Sequence, residues 1–447
     1  MSKQYVQNRE VSDHCAIVVK SLVKDWGPKP FRSIDAWFVE KGFCDMIKDK
    51  WGSYAVQGEV FQKIKMKLKC LKEDLKIWNR EVFGNLHTKK KGLLEEIEDL
   101  DCKDCNVDLG ESDRLRRYDL VGRLMETEKK IDSLICQKAR VSWFKNGDSC
   151  TKFFNSSLRW RRLRNEVKGV KVGGLWCEEP GTVRTEAKRL FENRFKATRD
   201  FGVRLDGVEF KTIIVEDNVS LVAGFDEEEI REALWLCEGT KSPGPDGFNM
   251  NFIKKSWGFI KDEVVQAFAL FHKNGVIPRG CNASFVALVP KVRDPTKLEQ
   301  YRPISLVGSM YKIISKVMAG RLKKVLPAII DDFQLAFLKD RGILDSVMMA
   351  NEVIEELKRR RKPGLCLKVD FEKAYDSVRW EFLYDLLHRM GFHRKWIMWV
   401  QGCLESATVS VLVNGSPTEE FKPSRGLRQG DPLAPFLFLV VAEGSQG

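Results

Sequence analysis

The stretch that most constrains the fold is residues 365–378, which read LCLKVDFEKAYDSV. Its apolar first half ends at Asp370, the pattern of a buried strand that delivers a carboxylate to the edge of a sheet. Tyr375 and Asp376 follow at the turn. Apolar residues then recur every fourth position along one helical face, at Val378, Phe382, Leu386 and Met390. The sequence is compatible with two structures: the base of a functional site that can hold a metal ion, or an ordinary strand-to-helix turn with solvated charges.

Charge and composition narrow the range of partners. The chain has 447 residues and a formal net charge of +13, which favours acidic partners. Its longest apolar run, 436–442, is far shorter than the roughly 20 residues that a membrane-spanning helix needs, so we expect nucleic acid and no membrane. Twelve cysteines form no repeating framework, and polar residues follow Met1. We therefore expect reduced thiols and an intracellular protein, cytoplasmic or nuclear, that is not secreted.

Residues 57–137 have a mostly helical pattern. Apolar residues alternate in steps of three and four, as in a coiled-coil seam, at Phe61, Ile64, Leu68, Leu71, Leu75, Trp78 and Val82. A second helical pattern, 115–135, follows the polar break at 101–113. The two helices can form an antiparallel hairpin or dimerise as a coiled coil, and the short intervening loop favours the hairpin.

Residues 138–197 begin with a strongly basic run that is interleaved with aromatic residues such as Trp143 and Trp160. Cations supply charge for phosphates, and rings supply stacking surfaces for unpaired bases. The alternative is a solvated basic face. The candidate nucleic-acid-binding residues in this segment are Lys152, Arg159, Arg161, Arg162 and Arg164.

Further motifs occur in a fixed order around the opening stretch. They are KSPGPDGF at 241–248, ALVPK at 287–291, YRPISL at 301–306 and SRGLRQGDPLAP at 424–435. Together they resemble the reverse transcriptase domain of non-LTR (LINE-type) retrotransposons, particularly plant elements. The resemblance runs from about residue 225 to the end. It implies an α+β fold with the fingers and part of the palm of a right-hand polymerase over 225–447, preceded by a mostly helical, coiled-coil-like region.

The resemblance also implies RNA-directed DNA polymerase activity by nucleotidyl transfer with two divalent ions, Mg²⁺ or Mn²⁺. Asp370 matches the first metal ligand and catalytic residue, and the backbone carbonyl of Phe371 would help to hold the second ion. Asp376 is expected to cap or pair locally. Tyr375 matches the aromatic that packs against the sugar of the incoming nucleotide and excludes a 2′-hydroxyl by clash; a core tyrosine is the alternative.

Other matched positions would contact the nucleotide. Lys291 and Arg302 flank a loop and would grip the triphosphate. Gln429 and Gly430 would lie against the base and sugar, with Arg428 near phosphate or template. The partners implied are element RNA as template, a DNA primer or target, and dNTPs.

Both ends of the chain bear on activity. Ser12-Asp13-His14 resembles the end of the endonuclease that precedes the polymerase in LINE-type proteins, where the Asp orients the His. We therefore expect residues 1–40 to be the C-terminal remnant of an endonuclease/exonuclease/phosphatase-like domain without nuclease activity. The family's aromatic-x-Asp-Asp hairpin is not reached before Gly447. Two hypotheses follow: a LINE-type reverse transcriptase domain, or a catalytically inactive, truncated retroelement protein that only binds nucleic acid.

Overall fold

The computed structural model describes residues 2–6, 17–21, 24–104, 110–139, 151–197, 205, 207–338, 341–361, 363–364 and 373–444. The protein is α+β. Its elements up to residue 235 are β1 (Ser2–Val6), β2 (Ile17–Ser21), α1 (Phe43–Ser53), α2 (Val60–Trp78), α3 (Leu86–Asp104), α4 (Glu111–Ala139), α5 (Thr151–Asn165), β3 (Val170–Val172), β4 (Leu175–Cys177), α6 (Pro180–Arg194), α7 (Val215–Val222) and α8 (Glu227–Trp235). The later elements are α9 (Met250–Asn274), β5 (Ala283–Pro290), β6 (Tyr301–Val307), α10 (Ser309–Ile329), α11 (Ile343–Arg359), α12 (Ala374–Ser377), α13 (Trp380–Arg389), α14 (Arg394–Glu405), β7 (Thr408–Val413), β8 (Ser416–Pro417) and α15 (Ala434–Glu443).

A four-stranded sheet with the order β6-β5-β7-β8 lies beneath the candidate site. β5 pairs antiparallel with β6 and parallel with β7. One face of this sheet is apolar and buried against α6, where Val286 and Val411 meet Phe191. On the opposite face Val289 and Arg302 are exposed, while Phe285 and Leu412 are buried. The sheet thus has one covered face and one partly open face, which we call the open face.

Local sequence signals placed several turns correctly. Asn414 and Gly415 both have positive φ, 51° and 88°, and they join β7 to β8 as the Asn-Gly signal predicts. The side chain of Asp226 accepts a hydrogen bond from the Glu229 amide at 2.7 Å and so caps α8. β3 and β4 pair antiparallel and form a hairpin around Gly173 and Gly174, which both have positive φ.

The apolar seam of α2 is buried, but its partner differs from the one expected. Leu71 and Leu75 are fully buried in the main core, while Val82 at the end of the pattern is 48% exposed. The helix packs on α1 and α9, and Lys67 Nζ lies 2.6 Å from Glu263 Oε1 of α9. The seam therefore closes a globular core, and within the described residues no coiled coil forms.

The antiparallel hairpin in this region forms between α3 and α4. Salt bridges join Lys90 to Glu128 and Asp101 to Arg117, so the two helices run in opposite directions. Leu93, Ile97, Leu100 and Leu120 form the apolar contact between them. A helical hairpin was expected, but between a different pair of helices.

Residues 31–37, which we call the N-terminal strap, pack onto the loop that precedes α9. The Ser33 amide donates to the Gly247 carbonyl at 2.8 Å, and Asp35 accepts from the side-chain amides of Asn249 and Asn251, both at 2.8 Å. Trp37 is 1% exposed in the main core. The domain boundary expected at residue 40 therefore cuts through a packed unit. Asp13 and His14 lie outside the described residues.

Within the described ranges, no helix combines the length and apolar character that crossing a bilayer requires.

Candidate active site and nucleic-acid cleft

The strand end predicted to carry the metal ligands lies outside the described residues. Asp370 and Phe371 both fall there, and Lys373 is the first residue described after them. In the described part of the chain, no group of three or more His, Cys, Asp or Glu side chains is arranged to hold a metal ion. The metal site therefore remains a prediction, while its immediate surroundings can be described.

The turn that follows Asp370 is hydrogen-bonded to the motif at 424–435. The Leu427 amide donates to the Tyr375 carbonyl and the Gly426 amide to the Val378 carbonyl, both at 2.7 Å. The indole of Trp380 donates to the Gly426 carbonyl at 2.9 Å. Two motifs far apart in the sequence are thus held in one fixed arrangement.

The side chain of Tyr375 is half-buried above this junction. Its ring stacks on the ring of Phe438 in α15, with centroids 4.8 Å apart and planes 17° apart. Burial raises the pKa of the Tyr375 phenol, so the side chain stays neutral at physiological pH. Because Phe438 packs against one face of the Tyr375 ring, the orientation of that ring is defined.

Local capping or pairing was expected for Asp376, but its side chain is buried and its partner is distant in the sequence. Its Oδ2 lies 3.6 Å from Arg194 Nη1, and both side chains are less than 10% exposed. Burial raises the pKa of the Asp376 carboxyl, and the charges of Arg194, Lys291 and Lys373 oppose that rise. Arg194 was not identified from the sequence, because nothing local marks a C-terminal arginine of α6 as a partner of Asp376.

Lys291 and Arg302 lie at the loop end of the β5–β6 hairpin, and both are exposed. The Lys291 amide donates to the Gln300 carbonyl at 2.8 Å, and Arg302 is the register partner of Val289. Lys291 is also close enough to act electrostatically on Asp376. The structure thus brings a predicted triphosphate contact to the same region as the Tyr375–Asp376 turn.

Gln429 and Gly430 lie against β6. The Ser305 amide donates to the Gln429 carbonyl at 2.7 Å. Gly430 has φ +104°, and a Cβ at this position would lie 2.9 Å from the Ser305 carbonyl oxygen. Glycine is therefore required here by backbone conformation and by close contact with the strand.

Arg428 does not lie on a surface that a phosphate or template can reach, which corrects its predicted role. Its guanidinium is buried, donates to Asn282 Oδ1 at 2.7 Å and lies 3.1 Å from Asp431 Oδ2. It also lies over the ring of Tyr311, 4.1 Å from the centroid. The Tyr311 hydroxyl donates to Asp431 at 2.6 Å, and burial raises its pKa well above the usual range. The four side chains form an internal network beneath the Gln429 turn.

A basic cleft of about 1230 Å³ lies over the open face of the sheet. Apolar side chains of that face form its floor, namely Ala287, Val289, Ile304, Leu306 and Leu412, and Leu288 of the covered face also lines it. Seven cations line it, against the three carboxylates Asp25, Glu166 and Glu178: Lys24, Lys29, Arg32, Lys138, Arg161, Arg162 and Lys168. The cleft therefore combines an apolar floor with basic walls.

The walls of the cleft are held in place by contacts across the sequence. Asn414 at the β7–β8 turn accepts from the Val167 amide at 2.8 Å and donates to the Val167 carbonyl at 2.9 Å, which fixes the end of α5 over the sheet. Arg161 donates to the Ala139 carbonyl at 3.0 Å. Lys168 pairs with Asp294 at 2.9 Å.

The predicted nucleic-acid residues are thus only partly brought together. Arg161 and Arg162 line the cleft, whereas Arg159 and Arg164 are exposed elsewhere on α5. The side chain of Lys152 is outside the described part. Lys29 and Arg32 of the cleft wall were missed from the sequence. Their signal is a short basic stretch beside Trp26, which on its own is too small to distinguish from surface charge.

Comparison with known proteins gives a family match in the second half of the chain. Residues 289–445 match the family described as "Reverse transcriptase (RNA-dependent DNA polymerase)". The "Transposon TX1 uncharacterized 149 kDa protein" of Xenopus laevis is 24% identical over 451 residues, which cover 97% of this chain and 34% of that protein.

Two relatives from Drosophila melanogaster each match a little less than half of the chain. The "Retrovirus-related Pol polyprotein from type-2 retrotransposable element R2DM" is 27% identical over 46% of this chain and 19% of its own length. The "RNA-directed DNA polymerase from mobile element jockey" is 26% identical over 48% of this chain and 24% of its own length.

The chain thus spans about a third or less of the length of these relatives. The matched region contains β6, the Tyr375–Asp376 turn and the Gln429–Gly430 turn, whose mutual hydrogen bonds are described above. Residues 289–445 thus match a reverse transcriptase domain, and the relatives that the chain resembles are proteins of transposable elements.

Proposed function

We propose that the chain acts as the RNA-directed DNA polymerase part of a LINE-type element and copies element RNA into DNA. The observation that carries the proposal is the junction in which Leu427 and Gly426 bond to the turn of Tyr375, with Lys291 close by. It brings the positions matched to the sugar contact, the base contact and the triphosphate contact into one region. Three motifs separated in sequence would have no local reason to converge in this way.

In this proposal residues 225–447 supply the fingers and part of the palm. The β5–β6 hairpin is the fingers element, with Lys291 and Arg302 at its loop end facing the triphosphate. Residues 57–137 and 138–197 form the helical and basic regions that precede it. The remnant of an endonuclease-like domain, which contains Asp13 and His14, is limited to the part of residues 1–40 that precedes the N-terminal strap.

Each residue of the proposed nucleotide site has a physical role. The edge of Tyr375 leaves no room for a 2′-hydroxyl, so the site selects dNTPs by clash. Gln429 orients the base and sugar, and Gly430 allows the Gln429 turn to approach β6. Asp370 and the carbonyl of Phe371 would hold divalent ions, magnesium or manganese, which activate the primer hydroxyl and neutralise the triphosphate.

The basic cleft supplies the proposed surface for the template RNA. Its seven cations attract the phosphate backbone, and its apolar floor can contact unpaired bases. Among the cleft cations, we assign RNA contacts to Arg161 and Arg162, which were predicted from the sequence, and also to Lys29 and Arg32. We propose that the protein works inside the cell, where element RNA, target DNA and dNTPs are available.

Primer extension tests the proposal. The full chain is incubated with an RNA template, a DNA primer, dNTPs and Mg²⁺, and Asp370→Asn is compared with wild type. Asp332→Asn serves as a matched control, because Asp332 is an exposed loop carboxylate paired with Arg341. We expect template-dependent extension that Asp370→Asn abolishes and Asp332→Asn retains. RNA binding without any extension, or extension that survives Asp370→Asn, would reject the polymerase assignment in favour of a binding-only protein.

A further inference from the structure

Arg194 is a buried cation at the C-terminal end of α6 that none of the sequence motifs includes. Its side chain is 7% exposed, and its guanidinium lies over the ring of Phe191, 4.7 Å from the centroid. Within the described residues its carboxylate partner is Asp376, at 3.6 Å. A cation is costly to bury, and here it is directed at the residue that immediately follows Tyr375.

The backbone around Arg194 also binds the segment that leads into the Gln429 turn. The last carbonyls of a helix have no partner within the helix. Here the Phe195 carbonyl accepts from the Ser424 amide at 2.8 Å and the Arg425 amide at 3.1 Å, and the Arg194 carbonyl accepts from Arg425 Nε at 2.9 Å. The Ser424 hydroxyl accepts in turn from the Ala197 amide at 2.8 Å.

Gly426 shows how tightly these parts fit. It has φ +88°, and a Cβ there would lie 2.8 Å from the Asp376 carbonyl oxygen and 2.9 Å from the Phe195 ring. The residue that follows α6 and the Asp376 turn thus both lie in close contact with Gly426. Arg194 therefore contacts both segments that frame the proposed nucleotide site: its side chain pairs with Asp376, and its carbonyl accepts from Arg425.

We propose that Arg194 is a positioning residue of the nucleotide site, which fixes the Tyr375–Asp376 turn against the Gly426–Gln429 segment through its buried ion pair with Asp376. This inference rests on the proposed polymerase function. A buried ion pair adds little net stability over an apolar pair, because desolvation offsets the attraction. Its effect is geometric: it restricts where Tyr375 can lie relative to Gln429, and so sets the width of the space left for the nucleotide sugar.

The test compares Arg194→Gln and Arg194→Lys with Arg189→Gln in the full chain. Arg189 is the matched control, because it belongs to the same helix but is exposed and pairs only with Glu186 within α6. The first readout is hydrogen exchange of the Gly426 and Leu427 amides, which donate to Val378 and Tyr375. We expect Arg194→Gln to speed their exchange about tenfold or more, Arg194→Lys to do so less, and Arg189→Gln to leave it unchanged.

The second readout is kinetic. We expect Arg194→Gln to raise the KM for dNTP several-fold, with a smaller change in kcat and with RNA affinity unchanged. Asp376→Asn is expected to reproduce the effect, and the double variant to add little, because both changes break the same contact. For Arg194→Lys we expect a KM between those of wild type and Arg194→Gln, because lysine keeps the charge but lacks the planar guanidinium.

Three results would overturn the proposal. The first is unchanged protection of the Gly426 and Leu427 amides in a folded Arg194→Gln protein. The second is a loss of melting temperature at unchanged KM, which indicates a structural role alone. The third is full additivity of Arg194→Gln and Asp376→Asn. If the wild-type chain extends no primer, the polymerase assignment fails, and hydrogen exchange still decides whether Arg194 fixes the turn.

Discussion

The ring of Tyr375 lies almost parallel to the ring of Phe438, with the planes 17° apart. Phe438 belongs to α15, which begins three residues after Asp431. The aromatic side chain proposed to select the sugar is therefore supported by the helix that follows the Gln429 turn. Its direction depends on this packing as well as on the turn that carries it.

Removing this support is expected to weaken sugar selection. Tyr375→Ala opens the space for a 2′-hydroxyl, so the preference for dNTP over NTP should fall by about tenfold or more, equivalent to roughly 1.4 kcal/mol. Phe438→Ala should lower it less, because the tyrosine remains but can tilt. Tyr375→Phe keeps the ring and should retain the preference. Single-nucleotide incorporation with matched dNTP and NTP measures all three, and an unchanged preference in Tyr375→Ala would contradict the assignment.

The buried network of Arg428 predicts a large stability effect. Arg428→Met leaves the Asp431 carboxylate buried beside Tyr311 without its cation, which is expected to cost about 3–5 kcal/mol of unfolding free energy. Arg428→Met combined with Asp431→Leu should cost less, because no charge remains unpaired. Arg293→Gln on the exposed β5–β6 loop is the control. Urea unfolding measures the unfolding free energy of each variant. A double variant that is less stable than Arg428→Met alone would contradict this account.

Charge removal in the basic cleft predicts a change in salt dependence. Paired substitutions Arg161→Gln with Arg162→Gln, and Lys29→Gln with Arg32→Gln, should each weaken single-stranded RNA binding. For each cation that contacts a phosphate, the slope of log affinity against log salt should become shallower by about 0.7. Arg231→Gln with Lys273→Gln, outside the cleft lining, should leave the slope unchanged. Equal effects in all three pairs would indicate general charge attraction rather than binding in the cleft.

Asp246 in the KSPGPDGF motif predicts a pH-dependent contribution to stability. Its carboxylate accepts from the amides of Ser309 and Phe248, yet burial raises its pKa above the usual 3.8. Folding therefore favours the protonated form, and this contribution is full below the unfolded pKa and is lost as pH rises through the folded pKa.

Asp246→Asn removes this titration and leaves the other groups in place. The unfolding free energy of the variant minus that of wild type should rise as pH increases from about 4 to 7. Denaturant unfolding at several pH values measures the difference, in which the titrations of other carboxyls cancel. A difference that falls with pH would show that the two amide hydrogen bonds outweigh the cost of burial.

Features with local causes were predictable from the sequence. The Asn414-Gly415 turn requires positive φ at both positions, which those residues tolerate, and the Asp226 cap needs only a side chain three positions before an amide. The apolar row of α2 was also identified correctly. Its partner was not, because the same spacing of apolar residues serves a coiled coil and a helix that packs on α9.

Roles that depend on contacts between distant segments could not be deduced. Arg428 lies in a motif whose neighbours approach a ligand, but its own partner, Asn282, is 146 positions away and lies in the interior. Arg194 and Asp376 are similarly remote, and each alone resembles an ordinary surface charge. Burial decides which cations face a phosphate and which join an internal network, and burial is a property of the whole fold.

The N-terminal strap has a consequence for how this polymerase unit can be isolated. Asp35 bridges Asn249 and Asn251 at the start of α9, and Trp37 fills the interior beside it. A recombinant fragment that begins at residue 225, where the family resemblance begins, would lack Asp35 and Trp37. It would also lack Phe31, whose ring contacts Phe248, so the space beside Phe248 would be left empty. We therefore expect a stably folded fragment to require a start before Phe31, and a loss of activity in a shorter fragment would report on misfolding as well as on catalysis.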